Sequence, residues 1–211
     1  MQDQVIFLVD DDPSVRKSLS RLISSAGYPV EAFSSAREFL NRNSSEEEPG
    51  CLLLDLRMPD INGIELQEEL LLTGNSIPII FISAHANVPM SVRAMKGGAV
   101  DFLTKPFSGD QLVSAIKTAI EKNSRKRNED SQLHEIKERL GSLTPREYDV
   151  FRLVVHGLLN KQIGAQLGIS EKTVKVHRSR VMDKMRASSL AELVLFAQKV
   201  GAMSDESTVN Q

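Results

Sequence analysis

The stretch Cys51-Leu52-Leu53-Leu54-Asp55-Leu56-Arg57-Met58-Pro59-Asp60 decides the fold. Four apolar residues in unbroken succession read as a strand covered on both faces, the state of strands in a parallel sheet flanked by helices. Asp55 ends the run at the carboxyl edge, where open α/β sheets place their chemistry. An earlier run, Val5-Ile6-Phe7-Leu8-Val9, ends in Asp10 and Asp11. A later one, Val100–Leu103, leads to Lys105-Pro106. Three acids and a lysine at the ends of three strands can converge on one metal and one phosphoryl group.

Working outward, two more strand candidates are Tyr28–Phe33 and Ile77–Ile82. Helix-period segments fall between the strands at Ser14–Ser25, Ala36–Asn41, Ile64–Leu72, Val88–Lys96 and Asp110–Glu121. Five βα units in this length predict a doubly wound, five-stranded parallel sheet. The run Ser44–Gly50 reads as a polar surface loop, and Gly63 as a turn conformation that a side chain would hinder. From Leu143 onward the pattern is helical. Thr144-Pro145-Arg146-Glu147 is a capping box with proline at the first helical position. Its helix runs to about His156. Further helices are expected at Lys161–Leu167, Glu171–Met185 and Leu190–Val200, and Gly168-Ile169-Ser170 turns the middle two into a helix-turn-helix.

The second half is therefore an all-α, four-helix unit. We divide the chain into domains at 1–122 and 141–203, a linker at 123–140 that is helical in part, and a disordered tail at 204–211. Within the linker, Asn123–Gln132 is polar, whereas Leu133, Ile136, Leu140 and Leu143 form a narrow helical stripe. That stripe suits a short dimer contact or packing on a neighbouring domain.

Charge separates the halves. Residues 1–122 hold 11 Lys/Arg and 17 Asp/Glu, a balance of −6, whereas residues 141–203 hold 10 and 5, a balance of +5. An acidic module joined to a basic one implies different partners, with nucleic acid on the basic side. No apolar run approaches the roughly 18 residues of a membrane span, and a single Cys51 excludes a disulfide framework. A cytoplasmic protein without membrane partners is expected.

Clustered carboxylates repel unless a cation intervenes. Mg2+ suits them, since it prefers oxygen ligands and keeps several waters. The expected ligands are Asp11, Asp55 and the backbone carbonyl of Arg57, with Asp10 acting directly or through water. A carboxylate can also attack phosphorus and form an aspartyl phosphate. Mg2+ and Lys105 would then neutralise the oxygens of the transferring group. Ser83 can donate a hydroxyl hydrogen bond to it, and the small Ala84 leaves room for access. Asp12, before Pro13, is assigned as a helix N-cap, and His85 as a surface histidine. A cis bond at Lys105-Pro106 could aim the lysine inward.

Val-Asp-Asp-Asp at 9–12, Asp-Leu-Arg-Met-Pro-Asp at 55–60, Gly63, Ser83-Ala84 and Lys-Pro-Phe at 105–107 resemble the receiver domain of bacterial response regulators. The resemblance covers residues 5–121 and implies a flavodoxin-like fold. It also implies Mg2+-dependent phosphorylation of Asp55 by a sensor histidine kinase, with Ser83 and Phe102 as the switch.

Leu-Thr-Pro-Arg-Glu at 143–147, Asn-Lys-Gln-Ile at 160–163 and Thr-Val-Lys-Val-His-Arg at 173–178 resemble the LuxR-type helix-turn-helix. By that resemblance Lys175, Val176 and Ser179 would face bases, while Lys172, Thr173 and Arg178 lie nearer phosphates. His177 would support helix packing. Gly164 departs from the alanine common in that family, and is expected to weaken its helix by about 0.5–1 kcal/mol.

Together the two resemblances imply a FixJ-type transcription regulator that dimerises on phosphorylation and binds double-stranded promoter DNA. The helix–strand–helix face at 88–96, 100–103 and 110–121 is the expected dimer surface. Contact with RNA polymerase is left open. A phosphorylation-independent regulator of the same architecture is the alternative. A Mg2+-dependent phosphohydrolase would need a proton donor two residues after its nucleophile, and Arg57 stands there.

Overall fold

A computed structural model describes residues 4–42, 50–84 and 88–203. The loop read at Ser44–Gly50 (apart from Gly50 itself), His85 and the tail at 204–211 lie outside the described residues. The chain divides into two compact units, Met1–Arg127 and Asn128–Gln211.

In the first unit, strands and helices alternate: β1 Val5–Val9, α1 Pro13–Ser25, β2 Val30–Phe33, α2 Ala36–Leu40, β3 Gly50–Asp55, α3 Gly63–Leu72, β4 Ile79–Ser83, α4 Val88–Lys96 and β5 Asp101–Thr104. All strand pairs are parallel, in the order β2-β1-β3-β4-β5. The order reverses between β1 and β3, so Asp10 and Asp55 leave the sheet at its topological switch point.

The apolar runs are continuous because both sheet faces are buried. Phe7, Val9, Leu52, Leu54 and Phe81 enter one core. Ile6, Leu8, Cys51, Leu53, Ile80 and Ile82 enter the other. This alternation is the period-2 geometry of a strand. Burial pushes the Cys51 thiol up to about 12, so Cys51 is a packing residue and not a nucleophile.

β2 and β4 begin later than the sequence predicts. Pro29 and Pro78 lack an N–H, and each contributes only its carbonyl, to Ile6 N (2.9 Å) and Leu52 N (2.8 Å). Asp12 caps α1 as expected, accepting from Ser14 N at 2.7 Å and Val15 N at 3.3 Å. Gly63 needs a different account from the one read in sequence. A Cβ there would sit 2.5 Å from the Asp55 carbonyl oxygen and 2.9 Å from the Phe81 ring, so close approach of α3 to the end of β3 is what requires glycine.

α5 spans Gly109–Gly141. The segment 123–140, read as a linker helical in part, is helical throughout. Nothing between the two glycines breaks a helix, and Lys, Arg, Glu and Gln favour one. Asn123, read as linker, is buried instead, and its Nδ2 donates to the Gly50 carbonyl at 3.1 Å.

The second unit adds α6 Pro145–Val155, α7 Asn160–Leu167, α8 Glu171–Met185 and α9 Leu190–Lys199. Their core holds Val150, Phe151, Val154, Ile163, Val174, Val181, Met185 and Leu193. Ile136 of α5 is buried among them, with Leu140 and Leu143 alongside. The α7–α8 turn is closed by Gly168 at φ 67° and by Ile169 N donating to the Gly164 carbonyl at 3.0 Å.

A Cβ on Gly164 would meet the Ile169 carbonyl oxygen at 2.8 Å. As this turn is built, a side chain at 164 requires the Ile169 carbonyl to shift, a cost that helix propensity alone leaves out. Gly164→Ala, favourable by helix propensity alone, is expected to destabilise the second unit by about 1–3 kcal/mol. Urea denaturation followed by circular dichroism measures it, and a stabilised variant would contradict this account.

Candidate functional site

The first site is built from three strand ends. Asp10 follows β1, Asp55 ends β3, and Lys105 directly follows β5, with a cis bond between it and Pro106. Asp10 is 1% exposed and Asp55 7%. Lys105 Nζ lies between them, 2.9 Å from Asp10 Oδ2 and 3.1 Å from Asp55 Oδ1. The remaining carboxylate oxygens accept backbone N–H groups: Asp12 N reaches Asp10 Oδ1 at 2.9 Å, and Arg57 N reaches Asp55 Oδ2 at 2.7 Å. Arg16 Nη1 fixes the Asp10 carbonyl at 2.7 Å, a contact that sequence reading missed.

Electrostatics follow from that burial. Desolvation pushes the Asp55 carboxyl above the usual carboxylate range, and the Arg57 N–H and Lys105 oppose the shift without cancelling it. Burial pulls Lys105 down, but hydrogen bonding and charge from Asp10, then from Asp55, outweigh it and leave the ammonium above its usual value. The lysine stays charged and holds both acids.

Asp11 is exposed. Among the described residues, no three acidic, His or Cys side chains stand close enough together to hold a metal as they are placed. Lys105 occupies the space between the two buried acids. The donor chemistry nonetheless fits Mg2+. The candidate ligands are hard carboxylate oxygens, and one ammonium leaves two buried carboxylates with excess negative charge.

The other predicted pocket residues take their places at the same edge. Ser83 ends β4 and is buried; its carbonyl accepts Lys105 N at 2.8 Å. Ala84, next to it, is exposed. Phe102 pairs with Phe81 across β4 and β5, is half-buried, and stacks on it at 6.0 Å between centroids.

The second site is α8. Lys172, Lys175, Val176 and Ser179 are exposed. Their spacings of three, four and seven put them on one side of the helix, away from the buried Val174, Val181 and Met185. Thr173 and Arg178 do other work. Thr173 Oγ1 bonds Ser170 Oγ at 2.8 Å within the cap, and Arg178 Nη1 donates to Asn160 Oδ1 at 3.1 Å, tying α8 to the start of α7. His177 is half-buried.

The acidic pocket on a parallel sheet and the helix-turn-helix can now be set against known proteins. Residues 6–117 match the response regulator receiver domain, and residues 141–197 match the bacterial regulatory proteins of the luxR family. The chain belongs to the FixJ-type response regulators. The Rhizobium meliloti transcriptional regulatory protein FixJ is 43% identical over 197 residues, 93% of this chain and 96% of that protein. Nodulation protein W of Bradyrhizobium diazoefficiens is 44% identical over 207 residues, covering 98% and 91%. Among solved structures, the response regulator StyR is 47% identical with a TM-score of 0.84, covering 93% of this chain and 99% of that one.

A FixJ-type chain is a transcriptional regulator with a receiver domain and a LuxR-type DNA-binding domain, and not an enzyme. In this response regulator, no helix among the described residues is long and apolar enough to cross a membrane.

Sequence reading missed one strong pair in the DNA-binding domain. Glu147 is buried; its Oε2 accepts Lys184 Nζ at 2.6 Å and Thr144 N at 2.9 Å. The Lys184 hydrogen bond, then that of Thr144, hold the Glu147 carboxyl down at about 2, from an ordinary 4.5. A depressed acid stabilises the fold above its unfolded value and loses that contribution as pH falls through its folded one. Thermal stability of the second unit is therefore expected to fall between pH 4.5 and 2. Glu147→Gln should lower stability at neutral pH and flatten that slope, as read by melting curves across the range. An unchanged slope would contradict the assignment.

Proposed function

We propose that Asp55 accepts a phosphoryl group from a sensor histidine kinase, and that this controls binding of promoter DNA by α8. The observation that carries it is the Asp10–Lys105–Asp55 bridge, which gathers two buried acids and an ammonium from three strand ends at 2.9 and 3.1 Å. Asp10, Asp11, Asp55 and the Arg57 carbonyl would hold Mg2+, which when bound supplies positive charge against the phosphoryl oxygens.

The chain's own groups do the rest. An Asp55 carboxylate oxygen forms the bond to phosphorus as the bond to the kinase histidine breaks. Lys105, already charged, turns from Asp55 to the new phosphoryl oxygens. Ser83, whose main chain pairs with Lys105, brings its hydroxyl toward them. Phe102 then moves inward from its half-buried stack on Phe81. This shifts a pre-existing equilibrium toward a state that dimerises through α4, β5 and α5. On DNA, Lys175, Val176 and Ser179 face bases and Lys172 a phosphate. Thr173 and Arg178 reach phosphates only from positions already engaged within the domain.

The test is DNA affinity measured by fluorescence anisotropy with Mg2+, with and without a small phosphoryl donor. Tighter binding with the donor supports the proposal. Equal binding in both states would favour a regulator controlled by something other than phosphate.

A further inference from the structure

We infer that Arg139, in the last part of α5, is a positioning residue for the recognition helix α8. This rests on the reading of α8 as the DNA-facing helix. The luxR-family match begins at residue 141 and excludes it.

α8 ends abruptly. Its cap, Arg186, is left-handed at φ 52°, and its backbone N–H turns back to Asp183 and Met182. The final carbonyls of a helix point away from it and need partners from elsewhere. Met185 is fully buried, and its carbonyl accepts Arg139 Nη1 at 3.3 Å. A guanidinium at that end also opposes the partial negative charge of the helix C-terminus.

Arg139 is itself held. Its Nη2 donates to Glu135 Oε1, one turn earlier, and its side chain is 19% exposed. Around it the same stretch of α5 is fastened repeatedly. Ile136 is buried in the domain core, and Gln132 Oε1 accepts Lys199 Nζ of α9 at 2.9 Å. Just past the end of α5, the Ser142 carbonyl accepts Lys184 Nζ, from the last turn of α8, at 3.0 Å. The stripe at Leu133–Leu143 is thus part of the DNA-binding domain, and through Arg139 it fixes the C-terminal end of α8. The position of Lys175 and Ser179 in a groove depends on that end staying in place.

The experiment uses the full chain and DNA selected from a random pool by the wild-type protein. Arg139→Met is expected to weaken binding to the selected DNA by about 5- to 20-fold, with little change on unselected DNA. The salt dependence of binding should keep its slope, because no phosphate contact is lost. Hydrogen exchange should quicken at residues 182–187 while Val150–Val155 stay protected. Arg139→Lys, which keeps a cation and a donor, should recover most of the affinity. Arg139→Gln decides the case if the methionine variant does not fold. Wild-type affinity in a folded, uncharged variant would overturn the inference. So would a salt slope smaller by about one, which would make Arg139 a phosphate contact. Lys175→Ala separates the two readings: if it too binds selected DNA like wild type, the assignment of α8 itself fails.

Discussion

Asp55→Asn is expected to give a folded regulator that takes up no phosphoryl group and whose DNA affinity no longer responds to a donor. Asparagine keeps the side-chain shape and an oxygen for Arg57 N, now 2.7 Å from Asp55 Oδ2. It removes the charge that pairs with Lys105 Nζ at 3.1 Å and the oxygen nucleophile itself. Since burial already disfavours a charged carboxylate at this position, loss of the charge should not unfold the domain. In the wild-type chain, coupling between the pocket and the DNA-binding surface should amount to about 1–3 kcal/mol, or roughly 5- to 150-fold in affinity. In Asp55→Asn it should vanish. Intact-protein mass after incubation with the donor reads the first part, and anisotropy the second. Continued phosphorylation would move the acceptor elsewhere. A retained affinity response without phosphorylation would uncouple the pocket from DNA binding altogether.

The path from sequence to this pocket was direct because buried strands advertise themselves. Runs such as Val5–Val9 and Cys51–Leu54 have no reading as exposed chain, and each hands its terminal acid to the same sheet edge. Side chains that act across the fold were harder to see. Glu147 reads as a capping-box residue and is one, but its pairing with Lys184 joins positions 37 apart. Asn123 opens a polar stretch with no local sign of burial, and Arg139 lies among the stripe residues Leu133–Leu143, whose spacing shows a packed face but not what a neighbouring arginine reaches. Gly164 was misread for a related reason: helix propensity weighs a residue against its own helix, whereas the constraint comes from the Ile169 carbonyl of the next turn. Arg178 shows the same limit, since its motif position suggests a phosphate and its partner here is Asn160.

That contrast between Arg178 and Lys175 sets the second large effect. Lys175→Ala is expected to weaken binding to the selected DNA by about 1–3 kcal/mol, or roughly 5- to 150-fold. Lys175 is exposed on the free side of α8 and pairs loosely with Glu171, 3.9 Å away, with both side chains more than half exposed. Such a surface pair contributes little, so Lys175 is free to leave it for DNA. If it reads a base, the loss falls on selected DNA and discrimination at one position relaxes; if it meets a phosphate, all DNA suffers alike and the salt slope drops by about one. Arg178→Ala should behave differently. Its first loss is the bond to Asn160 that joins α8 to α7, so melting temperature should fall along with affinity, whereas Lys175→Ala should leave melting unchanged. Equal melting of both variants, with equal loss on DNA, would return Arg178 to the phosphate-contacting role that its sequence motif suggests.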